Sequence, residues 1–530
     1  MIVHFPFLSA ILSVTLLGAL IIIVLPENKH FLMKVTAGVT GFISLVLSLA
    51  LFVLYDRSLG GFQFVEQIAW LPRLGITYQV GIDGIGLAML LLTGIVILTG
   101  VLISSHEFKA GGLLGATGRP KEFYALLLVL VAGVFGVFMS LDLFFFFLFY
   151  ELAVLPMYLL IGIWGTGKKE YSAMKLTLYL LLGSAFILIG ILALYFSSGL
   201  RTFDWLVLRS VAFPAHFQNI VFPVIFVGFG ILAGLWPFHT WSPDGHASAP
   251  SAVSMLHAGV LMKLGAFGII RVALELFPIG AKFWCPILVF LPIVNIVYGA
   301  LSAMSQKDLK YVIAYSSVSH MGIVLLGICS LNALGLNGAV FQMFSHGVMT
   351  ALFFALVGCI YGRTHTRILN EMGGLAKLAP FLAVAFTVGG LASLGLPGTS
   401  GFVAEFLVFL GAFKAYPALT VIAATGIVIT AIYVLRVVQK IFFASLNPNY
   451  IPEADACTMK DQFTHEHLEE VSDSGHKGFP ISVSDAVLLE KIPIVMLMGI
   501  LILFGIWPSL IINVINIGVS SIVQTIGGSL

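Results

Sequence analysis

Charged residues are scarce in this sequence of 530 residues. Asp, Glu, Lys and Arg together make up 9% of it, whereas soluble globular domains carry about 25%. This scarcity excludes an ordinary soluble domain. The 26 Lys and Arg nearly balance the 24 Asp and Glu, so no basic excess supports nucleic-acid binding. Four cysteines are too few for a disulfide framework in a chain of this length.

Apolar residues are abundant: 59% of the chain is hydrophobic, and the mean hydropathy is +1.08. A membrane-spanning helix needs about 20 mostly apolar residues, and fourteen such runs occur. The sequence therefore predicts an all-α polytopic membrane protein with about 14 transmembrane helices. The runs lie at 5–25, 33–54, 83–104, 122–140, 142–164, 172–196, 219–240, 251–277, 283–305, 310–330, 335–360, 380–413, 418–443 and 492–522.

Basic residues are distributed unevenly between the loops. Seventeen Lys and Arg fall in the odd-numbered loops and six in the even-numbered loops. Because cytoplasmic loops carry the excess of Lys and Arg, the odd loops are predicted to be cytoplasmic and both termini to lie outside.

The longest loop, 444–490, is predicted to be a polar cytoplasmic insertion. Its His465, His467 and His476 are an alternative metal site. Their spacing is not that of structural zinc ligands, which favours a flexible insertion.

Three ionisable residues stand inside apolar runs: Glu151, Lys263 and Glu405. A lysine at the bilayer centre costs at least about 3 kcal/mol on insertion scales, so Lys263 should face other helices or internal water. Intramembrane ionisable residues are functional by default. The alternative is a set of static ion pairs. Arg271 and Arg436 lie nearer to helix ends, where long side chains can reach the interface.

Histidines accompany these charges. His239, His246, His257, His320 and His346 fall in or beside apolar segments. A single histidine is more often a satisfied core residue, but their number and the serines around His320 favour a hydrated proton relay, since imidazole titrates near neutral pH.

Two runs are predicted to be broken helices. The first contains Gly234 and Pro237, and the second contains the segment 395–401, just before Glu405. Irregular backbone inside a membrane is tolerated only where protein or internal water satisfies it, and transporters place ion pathways at such breaks. For residues 243–246, a loop at a helix end is the simpler prediction.

Several segments resemble one family, the antiporter-like proton-translocating membrane subunits of respiratory complex I (NADH-quinone oxidoreductase), which is shared with multisubunit cation/proton antiporters. The similarity is greatest to the subunit 4 type, called chain M in bacteria, and extends over residues 80–443. It is carried by FYELAVLPMY (149–158), PFHTWSPDGH (237–246), AGVLMKLGAFG (258–268), YSSVSHMG (315–322), THTRILNEMGG (364–374) and GLPGTSGFVAEF (395–406).

The resemblance implies fourteen helices with two inverted five-helix repeats, each containing a discontinuous helix. The implied domains are N-terminal helices 1–3 (1–121), a first repeat (122–277), a second repeat (278–443), the cytoplasmic loop (444–490) and a C-terminal helix (491–530).

The resemblance also assigns roles to single residues. Glu151 is similar to the acid of the first half-channel, and Lys263 to the central lysine. His320 and His346 match the polar connection, and Glu405 matches the acid on the exit side.

This chain departs from the family at Leu232, where the family places a lysine that pairs with the acid matched by Glu151. We hypothesise that His239 or His257 replaces that lysine as the partner of Glu151.

The resemblance implies a proton-translocating subunit of NADH-quinone oxidoreductase, without a cofactor in this chain. NADH, FMN, iron-sulfur clusters and quinone would belong to partner subunits, and neighbouring antiporter-like subunits would flank the chain in a bacterial plasma membrane. Two alternatives remain: a subunit of a multisubunit Na⁺/H⁺ antiporter or membrane-bound hydrogenase, and a passive assembly subunit.

Overall fold

The computed structural model describes residues 5–107, 118–448, 450–452 and 481–527. Within these ranges, thirteen helices are long and apolar enough to cross a membrane, or fourteen when one bent pair counts as a single span. The prediction of an all-α membrane protein with about 14 spans is confirmed. The candidate metal ligands His465, His467 and His476 lie outside the described residues.

The N-terminal part holds three helices and a hairpin that was not predicted. The hairpin is antiparallel and turns at Gly75, whose positive φ of 69° suits glycine. Long apolar runs do not reveal this hairpin, because its strands have nine and seven residues, far fewer than the about 20 of a membrane-spanning helix. The elements are α1 (Phe7–Val24), α2 (His30–Leu54), β1 (Gln63–Leu71), β2 (Ile76–Ile82) and α3 (Gly84–Glu107).

The first half of the bundle contains five spans, of which the fourth is interrupted between α8 and α9 and the fifth contains two π-helical turns. The elements are α4 (Pro120–Met139), α5 (Leu143–Trp164), α6 (Lys169–Ser197), α7 (Trp205–Arg209), α8 (Ala215–Ala233), α9 (Trp241–Ser248), α10 (Ser251–Leu256), a π turn (His257–Leu261), α11 (Met262–Gly268) and a π turn (Ile269–Leu274).

The second half repeats this plan: five spans, with the fourth interrupted between α16 and α17. Because five is odd, the two halves cross the bundle in opposite directions. The elements are α12 (Pro278–Leu288), α13 (Phe290–Ser305), α14 (Leu309–Cys329), α15 (Ala333–Thr364), α16 (Pro380–Ser393), α17 (Ser400–Ala415), α18 (Pro417–Val438) and a π turn (Gln439–Phe443).

Both predicted helix breaks are present. The first follows Ala233, where Gly234 adopts a left-handed conformation with φ 78°, which ends a helix at little steric cost. The second occupies residues 394–399, where Gly395 and Gly398 also have positive φ. The prediction of a loop at 243–246 was wrong, because these residues lie in α9. Pro243 sits in its first turn, where a missing N–H is tolerated.

The C-terminal region contains two helices where one was predicted over 491–530. They are α19 (Leu488–Ile506) and α20 (Ser509–Gly527). Together they cross the bundle once, because Glu490 binds Arg363 near the end of α15 and Asn516 binds Asn337 near its start. Pro508 separates them because it has no N–H to continue the helix and disfavours helical backbone at Trp507. Before them, β3 (Tyr450–Pro452) pairs in parallel with β4 (Ile481–Val483) at the two ends of the long loop.

The bundle has a buried centre and an apolar perimeter. Every residue of α15 from Gly335 to Val357 is buried, whereas α1, α2, α6 and α18 expose many large apolar side chains. Helices with an apolar exposed side are suited to lipid contact, and helices buried all round form the interior of the bundle. Lys263, His320, His346 and Glu405, which lie on α11, α14, α15 and α17, are buried and therefore lie away from lipid.

Candidate functional site

Lys263 lies at the centre of the bundle and is completely buried. Its Nζ donates to Ala258 O and lies 2.7 Å from His346 Nδ1 on α15. The carbonyl belongs to the π turn that precedes α11, where the altered backbone pairing makes a carbonyl accessible to a side chain. The backbone therefore holds the amino group against a titratable ring.

His346 and His320 continue the contacts from Lys263. Their rings stack with centroids 5.3 Å apart. His320 Nδ1 lies 2.8 Å from Ser316 O, and its Nε2 lies 3.1 Å from Ser393 O. A carbonyl oxygen only accepts, so both nitrogens of His320 must donate, and this is the pattern of an imidazolium.

Glu405 completes this chain of contacts. His320 Nε2 lies 3.4 Å from Glu405 Oε1, and Gln342 Nε2 lies 3.3 Å from the same oxygen. Ser393, which binds His320, is the last residue of α16, directly before the second helix break. We name the four residues Lys263, His346, His320 and Glu405 the central chain. The structure thus brings together four of the seven site residues that the sequence predicted.

Glu151 lies apart from the central chain. It is half-buried on α5, and its Oε1 is buried without a hydrogen-bond partner within the described residues. The polar side chain beside its carboxylate is Ser184 on α6. Leu232, which occupies the expected lysine position, is completely buried.

His239 and His257 do not contact Glu151. His239 packs against Tyr298, with ring centroids 5.2 Å apart, and His257 stacks on Trp241 at 5.3 Å. The contacts of this conformation therefore do not support either histidine as the direct partner of Glu151. Both are nonetheless buried, and neither ring has a hydrogen-bond partner among the described residues.

A buried ion-pair cluster escaped the sequence analysis. Arg271 was expected to reach the membrane interface, but it is buried and pairs with Asp83 and, at 2.8 Å, with Glu275. Arg209 approaches Glu275 at 3.5 Å. The i,i+4 spacing of Arg271 and Glu275 could have predicted their ion pair. Asp83 is too distant in sequence for its contact with Arg271 to be predicted without a fold. Removing one partner of a buried ion pair leaves an uncompensated buried charge. The cluster therefore has a structural role.

A second missed group lies near the N-terminus of α6. Lys175 Nζ binds Asp244 Oδ2 at 2.8 Å, and Tyr311 donates to Asp244 Oδ1 at 3.0 Å. These three residues join α6, α9 and α14. Lys175 lies too far in sequence from Asp244 and Tyr311 for the group to be predicted without a fold.

The described residues do not offer a metal centre: no group of three His, Cys, Asp or Glu side chains among them is placed to hold a metal ion. The fold and the site define a polytopic membrane protein with two halves of five spans, interrupted helices and a buried chain of basic, imidazole and acidic groups.

The chain belongs to the family described as NADH:quinone oxidoreductase/Mrp antiporter, whose pattern matches residues 140–430. Curated relatives include the NAD(P)H-quinone oxidoreductase chain 4 of Gloeobacter violaceus, which is 40% identical over 458 residues and 85% of both chains. A chain 4 of Picosynechococcus sp. is 41% identical over 448 residues, covering 83% of this chain and 80% of the relative.

Solved structures show the same fold. A chain in respiratory complex I from Thermus thermophilus with bound NADH has a TM-score of 0.82 and 26% identity, with 98% of this chain and 100% of that chain covered. A chain of the Mrp complex from Dietzia sp. has a TM-score of 0.83 and 22% identity, with 99% and 100% covered. The second likeness shows the fold alone.

Proposed function

We propose that this chain is a proton-translocating membrane subunit of an NADH-quinone oxidoreductase, of the subunit 4 or chain M type. The observation that carries the proposal is the central chain, in which an amine, two imidazoles and a carboxylate lie in succession inside the bundle. The relatives that are chain 4 of NAD(P)H-quinone oxidoreductases support this subunit type.

In the proposed mechanism, each proton transfer is local. Protonated Lys263 gives a proton to His346 Nδ1, leaving a neutral amine and an imidazolium. His320 gives its Nε2 proton to the Glu405 carboxylate, leaving a neutral imidazole and a carboxylic acid, and His346 then reprotonates His320. Transfer is effective at hydrogen-bonding distance or through one water molecule. Each donor therefore has its acceptor either in contact or one small rearrangement away.

Partner subunits supply the energy in this proposal. NADH, FMN, iron-sulfur clusters and quinone are held by those partners, and quinone reduction acts on the central chain through charge and conformation. Moving one charge against the membrane potential requires about 2.3 kcal/mol per 100 mV. A change in the distance between paired charges alters the free energy of protonating Lys263, and this change is comparable to the energy needed to move one charge.

We also propose that the chain lies in a bacterial plasma membrane between other antiporter-like subunits, with both termini outside. The excess of Lys and Arg in the odd-numbered loops supports this orientation. The apolar perimeter of the bundle supports contact with lipid and neighbouring membrane subunits.

The test is to purify the assembly through a tag on this chain and to reconstitute it in proteoliposomes. We expect NADH-driven quinone reduction, flavin and iron-sulfur subunits in the purified assembly, and proton movement that an uncoupler abolishes. A redox-silent assembly that exchanges Na⁺ for protons would instead place the chain in a cation/proton antiporter. An assembly without either activity would support a passive subunit.

A further inference from the structure

Two histidines outside the central chain lie in direct contact. His246 belongs to α9 and His257 begins the π turn before α11, and their ring centroids are 4.0 Å apart. Both side chains are completely buried. The two rings therefore form a pair that links the interrupted helix to the helix of Lys263.

Aromatic rings enclose this pair on both sides. Trp241 stacks on His257 with centroids 5.3 Å apart and planes inclined by 26°, and Phe354 stacks on His246 at 5.3 Å and 27°. The four rings make a continuous stack from α9 to α15. Aromatic faces attract a cation, whereas burial away from water opposes a charge on the rings, so the pair holds a proton only transiently.

The four ring nitrogens of His246 and His257 have no protein hydrogen-bond partner within the described residues. Buried histidine nitrogens normally have hydrogen-bond partners, as those of His320 have in Ser316 O and Ser393 O. The nitrogens of the pair do not bind each other either, so their remaining partner for proton exchange is internal water.

Lys263 connects the pair to the central chain. Its Nζ donates to Ala258 O, which belongs to the residue directly after His257. Lys263 also interacts electrostatically with both histidines, while Lys310 from α14 and His346 from α15 act on His246. All of these groups are bases. Since like charges close together disfavour the charged form, full charge on the pair and on Lys263 at once is disfavoured.

We propose that His246 and His257 carry one proton between them and deliver it to Lys263 through internal water, so that the pair feeds the central chain. This inference rests on the proposed function. When Lys263 has passed its proton to His346, the imidazolium of the pair gives an N–H proton through water to the neutral amine. The pair becomes neutral and Lys263 becomes an ammonium again, so one proton and one charge move together.

The test compares His257→Leu, His257→Gln and His246→Asn in the purified complex in proteoliposomes. We expect each variant to assemble and to lose the share of the proton-to-electron ratio that this subunit supplies, with quinone reduction retained when an uncoupler is present. Since the two rings act as a unit, the double variant His246→Asn/His257→Gln should lose no more than either single variant.

The matched control is His216→Gln, which removes an exposed histidine of α8 and should leave the ratio unchanged. A role in packing alone predicts a pH profile of pumping like that of the wild type. The proposal predicts a shifted pH profile in every variant of the pair.

Lys263→Ala distinguishes failure of the role proposed for the histidine pair from failure of the proposed function. If Lys263→Ala lowers the ratio while the variants of the pair keep the wild-type ratio and pH profile, the role of the pair is overturned and the proposed function stands. If Lys263→Ala also pumps normally, the proposed function itself is overturned.

Discussion

At the scale of single residues, the cost of burying charge made much of the site predictable. Lys263 and Glu405 stood out because an apolar segment has no other reason to carry them, and the structure places both in the central chain with His320 and His346. The pairing of Arg271 with Asp83 could not be predicted, because their contact depends on how distant helices pack. The replacement of the expected lysine by Leu232 was visible in the sequence, but its consequence for Glu151 was not.

Asp142 provides a test at this scale outside the membrane-spanning segments. Its carboxylate accepts backbone N–H bonds from Thr77, Phe144 and Phe145 at the start of α5. Burial nevertheless raises the pKa of Asp142 from its ordinary 3.8 to about 6. Because the folded state binds the proton more tightly, this group's contribution to stability is full below pH 3.8 and falls as the pH rises to about 6.

The Tm of Asp142→Asn relative to the wild type should therefore be higher at pH 7.5 than at pH 4.5, by the equivalent of about 2 kcal/mol for a shift of this size. Asparagine never ionises and keeps one capping oxygen for Phe144 and Phe145, and its loss of the acceptor for Thr77 N–H is the same at both pH values. The measurement is the apparent Tm of both complexes at pH 4.5 and 7.5. A difference in Tm that is the same at both pH values would contradict the assignment.

At the scale of elements, the sequence predicted long apolar helices and both interruptions well. Gly and Pro punctuate a helix through local backbone physics, which a sequence reveals directly. The hairpin β1–β2 and the division of the C-terminal region into α19 and α20 were missed. The hairpin has short strands, and Pro508 lies inside an apolar run that was long enough to be read as one helix.

The contact between α19 and the second helix break is tight enough to test. A Cβ added at Gly505 would lie 2.2 Å from Gly398 O, whereas one at Gly499 would have nothing within 4 Å. We expect Gly505→Ala to push α19 away from the break, to lower the apparent Tm by an overpacking cost of about 1–3 kcal/mol, and to impair pumping.

Gly499→Ala is the matched control in the same helix. It should be neutral or slightly stabilising, because alanine has the higher helix propensity. The measurements are the apparent Tm and the proton-to-electron ratio of the Gly505→Ala and Gly499→Ala complexes. Equal behaviour of the two variants would show that α19 does not support the break.

At the scale of the whole molecule, two halves with five spans each carry their interrupted helices in corresponding positions. Arg209 binds Ser521 and Thr525 of α20, and Arg363 of α15 binds Glu490 of α19. The C-terminal helices therefore tie both ends of the bundle. The arrangement in two halves follows from the number of spans and could be predicted. The contacts between the C-terminal helices and the rest of the bundle could not.

The proposed orientation is tested by placing single cysteines on the two faces. In a Cys457→Ser background, Arg57→Cys should react with a membrane-impermeant maleimide in right-side-out vesicles, and Lys168→Cys should react in inverted vesicles. Both positions are exposed, and Cys285, Cys329 and Cys359 are buried. Labelling of both positions from one side would contradict the alternation of the loops.

The proton-to-electron ratio of the Lys263→Ala complex in proteoliposomes tests the central claim most directly. Subunit composition is verified first, and quinone reduction is measured with and without an uncoupler. The account predicts an assembled complex that reduces quinone when uncoupled but translocates fewer protons per electron than the wild type. An assembled Lys263→Ala complex with the full ratio would contradict the claim that protons pass through Lys263.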